Sequence, residues 1–284
     1  MTGVLYVVAT PIGNLDDISL RACAVLKQVS LIAAEDTRHS SRLLQHLGIS
    51  TPSMALHDHN EQAQAESLLA RIVSGDSIAL ISDAGTPLIS DPGYRLVAAA
   101  QAAGVRVSPV PGACAAIAAL SAAGLPSDRF VFEGFLPAKT TARRGRLESL
   151  SGESRTLIFY EAPHRIVECL QDMRDIFGAV RRIALGREMT KTFETIRLLP
   201  AAELCAWVES DANQQKGEFV LVVEGAPATD QLPDEAETDA LLVKLLKYLP
   251  VKPASQLAAE LTGRRKNALY DRALALHAGS AGVD

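Results

Sequence analysis

The sequence predicts an α/β protein made of two α/β domains with a ligand cleft between them, followed by a small helical segment. Short apolar runs typical of buried strands alternate with amphipathic runs typical of helices along most of the chain. Several of these strands end in loops rich in glycine, proline and carboxylates, and ligands bind at such strand ends in open α/β sheets. Residues 238–284 show helical patterns only.

Residues 1–133 are predicted to form the first domain, because strand and helix signals alternate there. Leu15, Ile18 and Ala22 fall on one face of a helix. Alternation of this kind favours a mostly parallel sheet with helices on both faces. The predicted strands are residues 4–9, 31–34, 77–81 and 105–110, and the predicted helices are residues 15–26, a helix ending near 47, and residues 61–74, 94–103 and 114–123.

Residues 133–139 interrupt this alternation and are predicted to be a linker to a second α/β domain, residues 140–226. Residues 225–237, rich in proline and carboxylates, are predicted to be a second, solvated linker. The predicted strands of the second domain are residues 156–160, 181–185 and 219–224, its helices are residues 164–177 and 201–209, and the tail has helices at 239–248, 254–261 and 266–277.

The composition is that of an ordinary globular protein, with 48% hydrophobic and 21% charged residues among 284. No apolar run approaches the ~20 residues of a membrane span, and the start lacks the basic region of a signal peptide. Cys23, Cys114, Cys169 and Cys205 are far apart, so we expect neither disulfides nor zinc, and a cytoplasmic location fits. Because the net charge is −5, nucleic-acid binding would require local basic patches.

The most informative segment is residues 82–93, which joins a predicted strand to a predicted helix. It holds two Asp, two Gly and two Pro, and it is longer than the usual connection of roughly 2–6 residues. A tight strand–helix connection is the alternative, but the composition favours a ligand loop. Similar loops follow other predicted strands, so together they predict one cleft; they are residues 9–15, 34–38, 110–115 and 159–165.

Common cofactor motifs are absent from the sequence. There is no Gly-x-x-x-x-Gly-Lys-Ser/Thr phosphate loop and no helix-opening Gly-x-Gly-x-x-Gly, which disfavours a kinase, a P-loop NTPase or an ordinary dinucleotide enzyme. His57, Asp58 and His59 lack further ligands at a fixed spacing, so they indicate a turn and helix cap rather than a metal site. We therefore expect no metal.

Several motif runs resemble the tetrapyrrole-methylase superfamily, the class III S-adenosylmethionine-dependent methyltransferases. More narrowly, the chain is similar to the rRNA small-subunit methyltransferase I group over nearly its whole length, including residues 261–270 of the tail. Residues 35–38 and 160–165 separate this group from the tetrapyrrole enzymes. The runs that carry the resemblance are residues 9–15, 34–38, 82–87, 110–112 and 160–165.

The resemblance implies that S-adenosylmethionine binds in the cleft, that the protein is a homodimer, and that a cytidine in the decoding region of 16S rRNA is methylated on its ribose 2′-oxygen. Residues 91–93 are interpreted as the structural end of the long loop rather than as part of the ligand site. The cofactor-binding residues carried over are Pro11, Ile12, Gly13, Asp83, Ala84, Gly85, Thr86, Pro87, Leu88, Ala113, Cys114, Ala115, Tyr160, Glu161 and Ala162.

Methyl transfer to a hydroxyl benefits from a general base by roughly 10²–10⁴-fold. Asp36, Asp83 and Glu188 are the candidate bases, and Arg38 or Lys191 is a candidate for stabilising the forming alkoxide or holding a phosphate. The alternative is that these residues pair with one another, Asp36 with Arg38 and Glu188 with Lys191.

Three basic groups are the candidate contacts to 16S rRNA or the 30S subunit. The third group opens the last predicted helix after a short turn, which resembles a helix-turn-helix; a helical cap or a dimer element is the alternative. The candidate RNA-binding residues are Arg143, Arg144 and Arg146, then Arg187, and then Arg264, Arg265 and Lys266.

Two other functions are compatible with the fold. A methyltransferase acting on a small tetrapyrrole would require neither basic patches nor a helical tail, and both are present. A protein that binds S-adenosylmethionine without turnover would not require carboxylates in several cleft loops.

Overall fold

A computed structural model describes residues 2–57, 59–227 and 235–280. Asp58, most of the second predicted linker and the end of the tail therefore lie outside the described residues. The chain divides into two compact units, Met1–Ala226 and Pro227–Asp284, and each is considered separately.

The first sheet is entirely parallel, with strand order β3-β2-β4-β1-β5. Each strand except the edge strand β5 is followed by a helix that packs on one of the two sheet faces, and a separate apolar cluster fills each face. The elements are β1 (Val4–Val8), α1 (Leu20–Gln28), β2 (Leu31–Ala34), α2 (Thr37–His46), β3 (Ser53–Ala55), α3 (Glu61–Val73), β4 (Ile78–Ile81), α4 (Tyr94–Ala102) and β5 (Arg106–Val110). The predicted parallel sheet with two covered faces is confirmed.

The second sheet is mixed, with strand order β6-β7-β10-β8-β9. Only β6 and β7 are parallel, and the other neighbouring pairs are antiparallel. Its elements are α5 (Ala115–Ala122), β6 (Phe130–Phe135), α6 (Thr140–Ser149), β7 (Thr156–Glu161), α7 (Ile166–Phe177), β8 (Arg182–Arg187), β9 (Thr195–Pro200), α8 (Ala201–Ser210) and β10 (Phe219–Val223).

Residues 133–139 are not simply a linker, because β6 extends to Phe135 and pairs with β7. The chain passes to the second sheet earlier, between β5 and α5, since Ala116, Ala119 and Leu120 of α5 pack against that sheet. Strand β6 was missed because Glu133 and Gly134 interrupt its apolar run. Strand β9 was missed because it is a partly exposed edge strand.

The second unit contains three helices among its described residues, α9 (Glu235–Leu246), α10 (Val251–Thr262) and α11 (Lys266–Ser280). They enclose a small apolar core of Leu242, Ala258, Leu269 and Ala273. Gly263 ends α10 in the left-handed conformation (φ 69°), which permits the sharp turn into α11. No helix in the described part of the chain is long and apolar enough to cross a membrane.

A buried ion pair joins α6 to α7. Arg143 is 1% exposed, and its Nε donates to Oδ2 of Asp172 at 2.7 Å. Arg144 donates to the other oxygen of the same carboxylate at 2.6 Å. Arg143 was predicted to contact RNA, and this prediction is wrong, because the side chain is enclosed by the domain core and already paired.

Replacing Asp172 with alanine should lower the free energy of unfolding by about 3–5 kcal/mol, because it leaves the buried Arg143 guanidinium without its main partner. Urea unfolding followed by circular dichroism measures this change. Asp175→Ala is the control, since Asp175 contacts arginines at the surface, and its cost should stay below about 1 kcal/mol. Equal costs for the two variants would show that the buried pair does not stabilise the domain.

Candidate active site

A cleft of about 410 Å³ lies between the strand ends of the two sheets, within the Met1–Ala226 unit. Its volume is in the range of small-ligand sites. The wall from the first domain consists of Ile12, Glu35, Asp83, Ala84, Gly85, Thr86, Ile89, Ser90, Asp91, Cys114 and Ala115. The wall from the second domain consists of Phe135, Tyr160, Glu161, Ala162, Pro163, Met189, Glu218, Phe219 and Val220.

The long loop, residues 82–93, is anchored to two other loops. Thr10 and Gly85 exchange backbone hydrogen bonds of 2.8 and 3.1 Å, and Thr86 Oγ1 donates to the carbonyl oxygen of Ala113 at 2.9 Å. Leu88 and Ser90 have positive φ angles of 74° and 70°, which few residues other than glycine adopt. The loop is therefore rigid and locally strained, as is common at functional sites.

Five acidic residues line the cleft: Glu35, Asp83, Asp91, Glu161 and Glu218. The backbone N–H of Asp83 donates to Glu35 Oε2 at 3.3 Å, and the backbone N–H of Asp36 donates to Asp83 Oδ1 at 3.1 Å. Among the described residues, no arginine or lysine contributes to the lining, although Arg165 pairs with Glu161 and Lys191 with Glu218. The cleft therefore favours a cationic ligand over an anionic one.

Tyr160 contributes an aromatic wall from the second domain. Its ring makes edge contacts with Phe132 and Phe135, at centroid distances of 5.0 and 5.6 Å. Its hydroxyl accepts a hydrogen bond from the backbone N–H of Ala116, at the start of α5. Burial raises the pKa of Tyr160 well above its usual range, so the hydroxyl remains protonated and cannot serve as a base at neutral pH.

Arg165 holds the strand ends of the second domain together. Its guanidinium lies 3.0 Å from the fully buried carboxylate of Glu161 and donates to the carbonyl oxygen of Leu136 at 2.7 Å. These contacts tie the end of β7 to the end of β6. They fix the segments that carry Tyr160 and Phe135.

A second strained loop closes one side of the cleft. Glu188 and Thr190 have positive φ angles of 49° and 66°. Lys191 Nζ donates to Glu188 at 2.9 Å and to Glu218 at 3.1 Å. Gly13 of the first domain packs so closely on this loop that an added Cβ would lie 2.6 Å from Lys191 Cγ. Gly13, which was predicted to bind the cofactor, therefore lies at a contact between the two domains.

The structure places most of the predicted cofactor residues in the cleft wall. Those lining it are Ile12, Asp83, Ala84, Gly85, Thr86, Cys114, Ala115, Tyr160, Glu161 and Ala162. The other predicted cofactor residues are not in the cleft wall; they are Pro11, Gly13, Pro87, Leu88 and Ala113. Asp91, interpreted from sequence as part of the loop exit, does line it, and that interpretation is wrong.

The candidate bases have different surroundings. Asp36 caps α2 and forms a 3.1 Å ion pair with Arg38, whose hydrogen bonds hold the pKa of Asp36 below its usual value. Burial raises the pKa of Glu188, but hydrogen bonds from Lys191 and the backbone of Glu218 outweigh it and leave that pKa lowered. Of the three candidate bases, Asp83 is the one that lines the cleft.

Several basic candidates are already paired. Arg146 donates to Glu133 at 2.7 Å, and Arg187 is buried and donates to the carbonyl oxygen of Phe193 at 3.1 Å. Arg144 binds Asp172, as described above. The structure leaves Arg265 and Lys266 exposed in the second unit, with Arg264 half-buried beside them.

The residues that the structure describes contain no group of three or more His, Cys, Asp or Glu side chains arranged to hold a metal ion. The rings of His57 and His59 lie 6.0 Å apart in an edge contact. Sequence reasoning missed Met189, Phe219 and Val220 in the cleft wall because they are apolar and belong to no polar motif. It missed Phe135 because the residue fell in the predicted linker.

The chain resembles known proteins over nearly its whole length. Residues 4–205 match the family Tetrapyrrole (Corrin/Porphyrin) Methylases, and residues 233–277 match the RsmI C-terminal HTH domain. Ribosomal RNA small subunit methyltransferase I of Pseudomonas aeruginosa is 63% identical over 273 residues, covering 96% of this chain and 97% of the relative. The protein of the same name from Escherichia coli O157:H7 is 57% identical, with 96% and 95% covered.

Solved structures show the same fold at low sequence identity. Diphthine synthase aligns with a TM-score of 0.60 at 14% identity, covering 78% of this chain and 90% of that protein. The methyltransferase CobJ aligns with a TM-score of 0.59 at 19% identity, covering 79% and 95%.

Replacing Tyr160 with phenylalanine should lower the free energy of unfolding by about 1–2 kcal/mol, because the N–H of Ala116 loses its acceptor. Thermal unfolding at several urea concentrations measures the change. Tyr94→Phe is the matched control, since Tyr94 is 72% exposed, and it should be neutral. A Tyr160→Phe variant as stable as the control would mean that this hydrogen bond contributes nothing.

Proposed function

The chain belongs to the tetrapyrrole methylase family and, within it, to the ribosomal RNA small subunit methyltransferase I group; from this premise we propose that it methylates 16S rRNA with S-adenosylmethionine as methyl donor. In its specific form, the proposal is transfer to the ribose 2′-oxygen of a cytidine in the decoding region. Because ribosomal small subunits are cytoplasmic, this activity implies a cytoplasmic protein.

The acidic cleft is the observation that carries the proposal. S-adenosylmethionine has a positive sulfonium and a positive amino group. Glu161 and Glu218 are paired with Arg165 and Lys191, and the other acidic residues of the lining, Glu35, Asp83 and Asp91, favour such a ligand. Small residues, Ala84, Gly85 and Ala115, leave room beside the backbone. We assign the cofactor to the loops at residues 83–88, 113–115 and 160–162. When bound, it supplies an activated methyl group.

Asp83 is proposed as the general base. A ribose hydroxyl attacks as its proton departs, and the acceptor has to lie within hydrogen-bond reach. Asp83 lines the cleft, whereas Asp36 is bound by Arg38 and Glu188 by Lys191. The Tyr160 hydroxyl stays neutral, so its proposed role is to orient other groups by hydrogen bonding.

The same carboxylates determine how RNA approaches. Phosphate groups are repelled from the cleft, so the backbone remains outside while a single nucleoside enters. Phosphate contacts then fall on exposed cations. Arg38, with a side chain 91% exposed, follows the loop that contributes Glu35 to the cleft. In the second unit, Arg265 and Lys266 follow the turn at Gly263, as expected for the second helix of a helix-turn-helix.

The resemblance also implies a homodimer, which stays a prediction that sedimentation velocity can test. The activity itself is tested by incubating the protein with tritiated S-adenosylmethionine and 30S subunits, naked 16S rRNA or a tetrapyrrole. Label on RNA, mapped to ribose by mass spectrometry of nucleosides, supports the proposal. Label on the tetrapyrrole, or none on RNA, overturns it.

The Asp83→Asn variant should lower kcat by roughly 10²–10⁴-fold, because the amide cannot accept the hydroxyl proton. Its shape is unchanged, so the affinity for S-adenosylmethionine should fall much less than kcat. Single-turnover methylation of 30S subunits measures the first quantity, and calorimetry measures the second.

Asp36→Ala is the comparison variant for Asp83→Asn. It removes the helix cap and the partner of Arg38, and we expect it to weaken RNA binding more than turnover. Near-normal turnover of Asp83→Asn together with loss of turnover in Asp36→Ala would make Asp36 the base.

Replacing Arg265 and Lys266 with glutamine should weaken RNA binding and flatten its salt dependence. Each lost phosphate contact on a single strand reduces the slope of log K against log salt by about 0.7. Filter binding to 16S rRNA at several salt concentrations measures the slope. Lys252→Gln is the control, because Lys252 is exposed at the start of α10, away from the turn. An unchanged slope in the double variant would exclude these residues as phosphate contacts.

A further inference from the structure

Phe135 is an aromatic side chain that the domain core does not use. It lies at the end of β6 and is 56% exposed, although its neighbours Phe132 and Tyr160 pack into an apolar cluster. The chain is poor in aromatic residues, at 5% of its length, yet this ring is placed in the wall of the cleft. An exposed ring at such a position is suited to stacking against a flat ligand.

Asp91 lies in the same part of the cleft. It belongs to the long loop of the first domain and lines the cleft together with Phe135. Tyr160 also lines the cleft, and its ring lies 5.6 Å from the Phe135 ring. The loop approaches β6 here, since an added Cβ on Gly134 would lie 3.1 Å from Ser90 Oγ. An acidic residue and an exposed aromatic ring thus line the cleft where the long loop and β6 approach each other.

Building on the proposed function, we propose that Phe135 and Asp91 form the subsite for the target base, with Phe135 stacking on the base and Asp91 selecting cytosine. Sequence-specific RNA recognition commonly stacks an unpaired base on an aromatic side chain and reads its edge by hydrogen bonds. The 4-amino group of cytosine donates to a carboxylate, whereas uracil presents an oxygen acceptor at the same place. Asp91 therefore accepts from cytosine and repels uracil.

Comparison of cytidine with uridine at the target nucleotide isolates the amino group, because the two bases have the same ring size. The wild-type protein is first used to map the methylated nucleotide in 30S subunits. Reconstituted subunits then carry either cytidine or uridine at that nucleotide, and kcat/KM is measured for both. The wild type should prefer cytidine by roughly 10- to 100-fold.

The Asp91→Asn variant should reduce this preference about tenfold or more, because an amide accepts from cytosine and also donates to uracil O4. The substitution keeps the side-chain shape, so loss of folding does not obscure the result. Asp128→Asn, at an exposed aspartate, is the control and should keep the preference. An unchanged cytidine preference in Asp91→Asn overturns the assignment of Asp91.

The Phe135→Leu variant should raise KM for 30S subunits roughly tenfold, and Phe135→Tyr should restore it, because only the aromatic ring stacks. Phe130→Leu, on the same strand and 38% exposed, is the matched control. Calorimetric affinity for S-adenosylmethionine should be unchanged in all three variants. A weakened cofactor affinity in Phe135→Leu would place the ring in the cofactor site and overturn the proposal. Absence of any RNA methylation by the wild type would instead refute the proposed function.

Discussion

The width of the cleft depends on the short segment that connects the two sheets. Within residues 113–116, the carbonyl oxygen of Ala113 accepts from Thr86 of the first domain, and the N–H of Ala116 donates to Tyr160 of the second. The two bonds lie only three residues apart on one rigid stretch that begins α5. The long loop on one side and the aromatic wall on the other are thereby held at a fixed separation, so the site is formed before any ligand binds.

This preorganisation gives the strained loops a role. Leu88, Ser90, Glu188 and Thr190 are the non-glycine residues with positive φ in the described part of the chain, and all four belong to loops at the cleft. Each such conformation costs free energy and persists only where surrounding contacts enforce it. Here the enforcing contacts include the Thr10–Gly85 bridge on one loop and the Lys191 hydrogen bonds on the other. Strain is concentrated where the backbone has to face a ligand.

The sequence could predict most of the parallel sheet, because β2 and β4 are fully buried apolar runs and the helices between the strands have clear periodicity. It missed the edge strand β3, which is three residues long and contains no buried residue. It could also predict the polar loops, since glycine, proline and carboxylates mark strand ends. It could not predict that α5 packs on the second sheet, because local patterns do not state which sheet a helix covers. The burial of Arg143 escaped prediction because its partner Asp172 is far away in sequence and no local pattern marks the pair. The apolar cleft residues could not be predicted either. In the sequence, Met189 and Val220 look like ordinary core residues, and only the fold brings them to the cleft.

Under the proposed function, a cleft that repels phosphate has to receive its RNA substrate one nucleoside at a time. Turning a nucleotide out of its stack costs a few kcal/mol, and contacts elsewhere have to offset that cost. In this proposal, the exposed ring of Phe135 replaces the lost stacking inside the cleft, and Arg265 and Lys266 of the helical unit provide phosphate contacts. Phosphate contacts are nearly independent of sequence, but contacts to a base edge are not. Under the proposed function, the helical unit therefore contributes affinity for any RNA, and the choice of nucleotide falls to the carboxylates and the aromatic wall of the cleft.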